Sequence, residues 1–417
     1  MAGIWFVSAP LPGHLDWGGL LRTAMALRRR GHPLRWLSGP QVRRALTQAG
    51  VEFVTLDETG WLWPPPPLPD VSSLSPQDAV MLRYRRALDT WLSAGRVEAA
   101  TKELISLGQR DGKPDLIVTD PFLSAAALAA EALDVPLAVG GWPAQAALDE
   151  SRLLPVQKTL GAESRARLDG LLERFNLQGR NFARGATPSV ISPLLHLCFF
   201  TEDWYAAERG SLLPQNVYVG GAPSLPAGEP PDWLNAIPRA TPLALITLGT
   251  TFTGDLGFFS WAARAAARLN LVPVVVIGWH PVAPQRKAEL VAALPGTARL
   301  LNYVDFHHIL PRAHLAIHHG GMGTTHAALV HGVPQLVVPH AADQRAQARR
   351  VAQAKVGLQL SAHDVRQGAL LTGARALLND SKVQENARRL AARMAAAGGP
   401  QRAADLLLDL TQRGAVP

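Results

Sequence analysis

Residues 318–344 read HHGGMGTTHAALVHGVPQLVVPHAADQ, and they concentrate more chemistry than any other stretch of the 417-residue chain. The apolar run Leu315-Ala316-Ile317 has the length of a buried parallel strand and ends in two histidines, His318 and His319. Gly320, Gly321, Gly323 and Thr324 then make a turn that opens a helix, which closes at Gly332-Val333-Pro334. A helix N-terminus presents unpaired amides and a partial positive charge, and glycines let an anion approach that backbone closely. This is the composition of a phosphate seat. A strand at 335–338 returns on the same sheet and delivers Asp343 and Gln344 to the same carboxyl-end crevice, within reach of hydroxyls attached to that phosphate. Diphosphate and hydroxyls together spell a nucleotide sugar.

A second constellation lies near the N-terminus. A buried-strand pattern over 4–9 ends in Ala9-Pro10-Leu11-Pro12-Gly13-His14, which places an imidazole at the carboxyl end of a sheet. A neutral imidazole near its ordinary pKa accepts a proton at physiological pH. Asp120 follows an apolar strand at 116–119, where a carboxylate fixes the imidazole tautomer and stabilises the imidazolium, with an acceptor oxygen as nucleophile. Two structural readings stand beside these: His14 as a loop residue satisfying carbonyls, and Asp120 as a helix N-cap ahead of Pro121. Asp16 is a second carboxylate in range of His14.

Positioning these groups requires two α/β series. Strand patterns at 4–9, 34–37, 116–119 and 137–139 alternate with helical patterns at 18–30 and 122–133, as in a doubly wound parallel sheet. Strand 243–248, ending in Gly249-Thr250-Thr251, helix 256–269 and strand 272–277 begin a second series that the 318–344 segment completes. The expected division is a domain at 1–220, a Gly/Pro/Ala-rich linker at 221–242, a donor domain at 243–397, and a last helix in 398–417. Eight of the eleven tryptophans precede the linker. Trp17, Trp61, Trp63 and Trp142 are the candidate walls of an apolar pocket, and Pro64 to Pro67 enforce a loop beside two of them.

These residues resemble the family-1 UDP-glycosyltransferases, and especially the bacterial branch that glycosylates small lipophilic molecules such as macrolides. The resemblance implies the α/β architecture called GT-B: two facing Rossmann-like doubly wound domains with an interdomain cleft. It implies that the domain at 1–220 takes the acceptor and that the last helix, in 398–417, packs back on it. It implies that His319 contacts the donor diphosphate, that Asp343 and Gln344 hold the sugar, and that Tyr303 stacks on the base while Val304 offers backbone contacts. Thr250 and Thr324 supply hydroxyls to the leaving group. It also implies His14 as general base with Asp120 orienting it. Two positions depart from the pattern. Ala327 stands where many members carry a ribose-binding glutamate, and Leu15-Asp16-Trp17 replaces the usual turn after the histidine.

The expected activity is inverting transfer of a hexose from a UDP-sugar or dTDP-sugar donor, with UDP-glucose the first candidate, to a hydroxyl of a small lipophilic acceptor, without a cofactor or metal. No two aspartates are separated by a single residue, and although eight of thirteen histidines lie between 307 and 340, none belongs to an HExxH motif. His307, His308, His314 and His331 are expected at the surface or as caps. A UDP-sugar epimerase of the same architecture and a non-catalytic nucleotide-sugar-binding protein are the rivals. The single cysteine, Cys198, allows no internal disulfide, and its apolar neighbours suggest a buried strand thiol. The formal charge of +8 is spread singly along helices without a nucleic-acid motif, which leaves peripheral membrane attraction open but argues against nucleic acid. The start of the chain lacks a signal-peptide pattern, no apolar run reaches membrane-spanning length, and a cytoplasmic location is expected.

Overall fold

Apolar strand runs with both faces covered build the molecule. The computed structural model describes residues 3–16, 18–63, 73–147, 153, 155–183, 185, 188–224, 228–249, 256–278, 282–340 and 342–413. Two compact units emerge, one of Met1–Phe199, Ala206–Val219 and Pro400–Pro417, the other of Phe200–Tyr205 and Gly220–Gly399.

In the first unit the strands are β1 (Ile4–Val7), β2 (Leu34–Ser38), β3 (Glu52–Thr55), β4 (Leu116–Thr119) and β5 (Leu137–Gly141). A small antiparallel pair, β6 (Phe182–Ala183) and β7 (Ser189–Val190), stands apart, and β8 (Leu195–Cys198) and β9 (Asn216–Tyr218) complete the main sheet. That sheet is parallel with the order β3-β2-β1-β4-β5-β8-β9. Both faces of β1 are covered. Trp5 and Val7 enter one core with Ile117, while Phe6 stacks on Trp36 at 5.1 Å on the other side. The last helix, Gly399–Arg413, buries Ala403, Ala404 and Leu407, and Arg30 ties it to helix Leu20–Arg29 through Asp405 and the Gln401 amide.

The second unit carries β10 (Leu243–Thr247), β11 (Val272–Val276), β12 (Arg299–Leu301), β13 (Ala313–His318), β14 (Gln335–Val337) and β15 (Gly357–Gln359), all parallel, in the order β12-β11-β10-β13-β14-β15. Strand period two separates its cores: Ala244, Ile246 and Leu248 enter one, Leu243 and Leu245 the other. The segment at 228–238 is docked onto this unit. Leu234 and Ile237 are buried in its core, and Arg312 donates to the carbonyls of Leu234, Ile237 and Pro238. Among the described residues no helix is long and apolar enough to cross a membrane.

Candidate active site

Strand order reverses at the first strand of each sheet, giving β2-β1-β4 in one and β11-β10-β13 in the other. Open α/β sheets bind ligands outside the carboxyl ends of the strands that flank such a reversal. His14 closes the short turn Pro12–His14 beyond β1, and Asp120 is the first residue beyond β4. Gly249 lies two residues beyond β10, and His319 is the first beyond β13. Thr250 and Trp17 lie outside the described residues, as do Pro64 to Pro67.

Asp120 is wholly buried, and its Oδ1 accepts the Phe122 amide at 2.8 Å while its Oδ2 meets no partner. Burial pushes its carboxyl up to about 6, against the pull of the amides of Phe122, Ala9 and Leu123. Ala9 belongs to the loop that leads to His14. Helix Ser124–Ala132 starts with Leu123 at its N-cap, so Asp120 holds the Pro121-Phe122 turn instead of capping a helix. The expectation for Asp16 is corrected. Its carboxylate is engaged by the Arg22 guanidinium at 2.9 Å and by the Arg22 amide, so it opens helix Leu20–Arg29.

The tryptophans divide. Trp61 and Trp142 bracket Phe122 edge-on, with ring centroids 5.9 and 4.8 Å away, and Trp63 is half-buried against the core. Phe122, two residues past Asp120, is the hub that the sequence reading missed; its place after an Asp-Pro turn was the available signal. Trp142 is anchored in turn by His196, whose Nδ1 donates to its carbonyl at 3.2 Å while Nε2 accepts the Ser192 amide at 2.9 Å. Burial lowers His196 to about 4, so the ring is neutral.

In the second unit His319 is buried between two glycines. A Cβ on Gly249 would lie 2.7 Å from its ring and one on Gly321 2.5 Å away. Burial first, then His318 and His340, lower His319 to about 3, so this ring is neutral too. Helix Met322–Val330 begins with Gly321 at its N-cap, with no side-chain cap bond and no acidic residue in its first turn. Thr324 is buried in that turn. Gly323 is exposed, with nothing within 4 Å of where its Cβ would stand. Gly320, at φ +89°, approaches the Gln344 carbonyl so that a Cβ would be 2.9 Å from it. Gln344 is buried and its Oε1 accepts the His340 amide at 2.8 Å; Asp343 lies in the first turn of helix Ala342–Gln353. Tyr303 is 58% exposed while its neighbour Val304 is in the core. Ala327 is buried.

Of the four surrounding histidines, His331 is the C-cap of helix Met322–Val330 and His314 is exposed, as expected. His307 and His331 are not independent surface groups: His307 Nδ1 lies 2.7 Å from His331 Nε2, and its Nε2 lies 2.9 Å from the Ser224 hydroxyl. His308 is buried, and only His314 is exposed among the four. Cys198 is buried, which pushes its thiol up and makes it inert. Among the described residues no three His, Cys, Asp or Glu side chains gather as a metal set.

Residues 275–410 match the family model for the erythromycin biosynthesis protein CIII-like C-terminal domain. An NDP-glycosyltransferase of Bacillus subtilis, YjiC, is 27% identical over 74% of this chain and 76% of its own. Demethyllactenocin mycarosyltransferase of Streptomyces fradiae is 25% identical over 98% of this chain and 87% of its own. The crystal structure of the calicheamicin glycosyltransferase CalG4 superposes with a TM-score of 0.74 at 24% identity, covering 100% of both chains. Two Rossmann-like sheets and full-length similarity to such enzymes lead to one conclusion: the chain is a GT-B-fold glycosyltransferase related to the bacterial natural-product sugar transferases.

Proposed function

We propose that the enzyme transfers a hexose from a nucleoside-diphosphate sugar to a hydroxyl of a small lipophilic acceptor, with inversion at the anomeric carbon and without a metal. The observation that carries the first half is Asp120, a buried carboxyl with one oxygen unfilled beside the strand-end loop leading to His14. Such a group is stabilised in its charged form by an adjacent imidazolium. In the reaction His14 takes the acceptor proton, the freed oxygen attacks the anomeric carbon, and the bond from that carbon to the diphosphate breaks. Asp120 stabilises the imidazolium formed.

The departing diphosphate is received by the amides at 321–324, by the hydroxyls of Thr250 and Thr324, and by neutral His319 acting as a hydrogen-bond donor. Gly320, Gly321 and Gly323 allow the close approach. Asp343 and Gln344 hold the sugar, Tyr303 stacks on the base, and Val304 lends its backbone. Helix-terminus electrostatics supply the role that a divalent ion would otherwise fill. The acceptor lies against Trp61, Trp142 and Phe122, with Trp63 and Trp17 in the same region of sequence; the mycarosyl and calicheamicin transferases similar to this chain support a bulky natural-product acceptor. Ala327 offers no hydrogen bond to a pentose hydroxyl, so UDP-glucose and dTDP-glucose are both tested as donors.

The test is an acceptor screen with each donor, read as nucleotide release and product mass, repeated after exhaustive dialysis against EDTA. His14→Ala is expected to lower turnover by about 100-fold or more with donor affinity kept. Near-normal turnover by a folded His14→Ala variant removes the base, and complete loss with EDTA restored by one divalent ion removes metal independence.

A further inference from the structure

His318, beside His319 in sequence, has a different environment. It is wholly buried, the two rings meet nearly edge-on at 82°, and its two nitrogens are fully assigned. The Gly320 amide can only donate, and it reaches His318 Nδ1 at 3.0 Å. The proton of a neutral ring is therefore on Nε2, which donates to Gln335 Oε1 at 2.9 Å. Burial lowers His318 to about 4, which keeps the ring neutral. Gln335 is itself wholly buried, and its Nε2 has no partner. A buried amide held by one bond of its two sets is costly to keep.

A side-chain acceptor at residue i taking the amide of residue i+2 is the geometry of an Asx turn, here made by imidazole in place of Asn or Asp. The amide it takes belongs to Gly320, whose left-handed backbone carries the chain from β13 into the turn around His319 and sets the contact with the Gln344 carbonyl. We propose that His318 and Gln335 form a positioning pair for the donor site: Gln335 fixes the His318 tautomer, and His318 fixes the Gly320 turn on which His319 and the diphosphate-facing amides are aimed. This rests on the assignment of 319–324 to the donor diphosphate. Neither side chain touches the donor in this scheme.

The test uses the whole protein and UDP alone, with affinity read by calorimetry and folding checked by thermal melting. His318→Phe keeps a planar ring but removes the acceptor, and UDP affinity is expected to fall about tenfold or more. His318→Asn restores a true Asx acceptor, and Gln335→Met added to it removes the amide that this change would orphan. The double variant H318N/Q335M is expected to bind UDP within about threefold of the wild type. A folded double variant that binds tenfold more weakly overturns the proposal, as does a folded His318→Phe that binds normally. If His318→Phe does not fold, the double variant decides alone. His319→Ala separates the two layers: unchanged UDP affinity in that variant means the diphosphate lies elsewhere, whatever the His318 series shows.

Discussion

From the sequence alone the three signature glycines share one reason, close approach of an anion, and the structure divides them. Gly320 is required by its positive φ and by the Gln344 carbonyl, and Gly321 by the His319 ring. Among the described residues nothing lies within 4 Å of where a Gly323 Cβ would stand, so packing leaves room for a side chain there. Gly323→Leu should therefore melt at or above the wild-type temperature, since leucine is the better helix former. Its UDP affinity should drop about tenfold or more because the side chain projects over the first-turn amides, which make charge-assisted bonds worth roughly 1.5–3 kcal/mol each. Unchanged UDP binding would move the anion off this helix. The strand ending at His318 and the Gly-rich turn into helix Met322–Val330 were legible because an apolar run followed by glycines has few meanings. The role of His318 was not, because tautomer and partner depend on Gln335, seventeen positions away on the next strand.

At the level of elements, long apolar runs were legible and short edges were not. β4 and β10 are buried along their whole length and announce themselves by composition. β12 and β15 have three residues each, none buried in β12 and only Gly357 in β15, and exist because a neighbouring strand offers its backbone edge. Helix starts shifted for a similar reason: the pattern suggested 122, but the Asp120 side chain ties the Phe122 amide into a turn and the helix begins at Ser124. Another tie of this kind holds the loop after helix Pro155–Phe175. Glu131, nearly buried on helix Ser124–Ala132, accepts the amides of Gln178 and Gly179 at Oε1 (2.7 and 3.0 Å) and of Arg180 at Oε2 (3.0 Å). Removing the carboxylate leaves three amides without an acceptor. Glu131→Ala should cost about 3 kcal/mol or more, and Glu131→Gln should also destabilise because its NH2 would face the Arg180 amide. Chemical denaturation followed by Trp fluorescence checks this; a Gln variant as stable as wild type would mean that the loop is held by other contacts.

For the whole molecule, the buried imidazoles set a pH dependence whose sign can be worked out. His196 and His318 are lowered to about 4 by burial and His319 to about 3, chiefly by burial and then by His318 and His340, from an unfolded value near 6.5. Between those limits the unfolded chain binds more protons, so stability rises with pH and the gain is complete above about 6.5. Asp120 acts oppositely: at about 6 against an ordinary 3.8, the folded state holds the extra proton, and its contribution falls as pH rises through that window. Three groups against one give a net rise from pH 4 to 6.5, each proton worth up to about 1.4 kcal/mol per pH unit. Denaturation midpoints measured across this range should climb, and Asp120→Asn should climb more steeply; a flat profile would mean that these rings are protonated in the fold. The path of the chain has a different consequence. It passes between the units at 199/200, 205/206, 219/220 and 399/400, and the helix that Asp405 ties to Arg30 of the first unit follows the second unit in the chain. A nascent chain that has reached residue 398 but lacks that helix already contains nearly all of the second unit, so the first unit is closed by a segment made after the second.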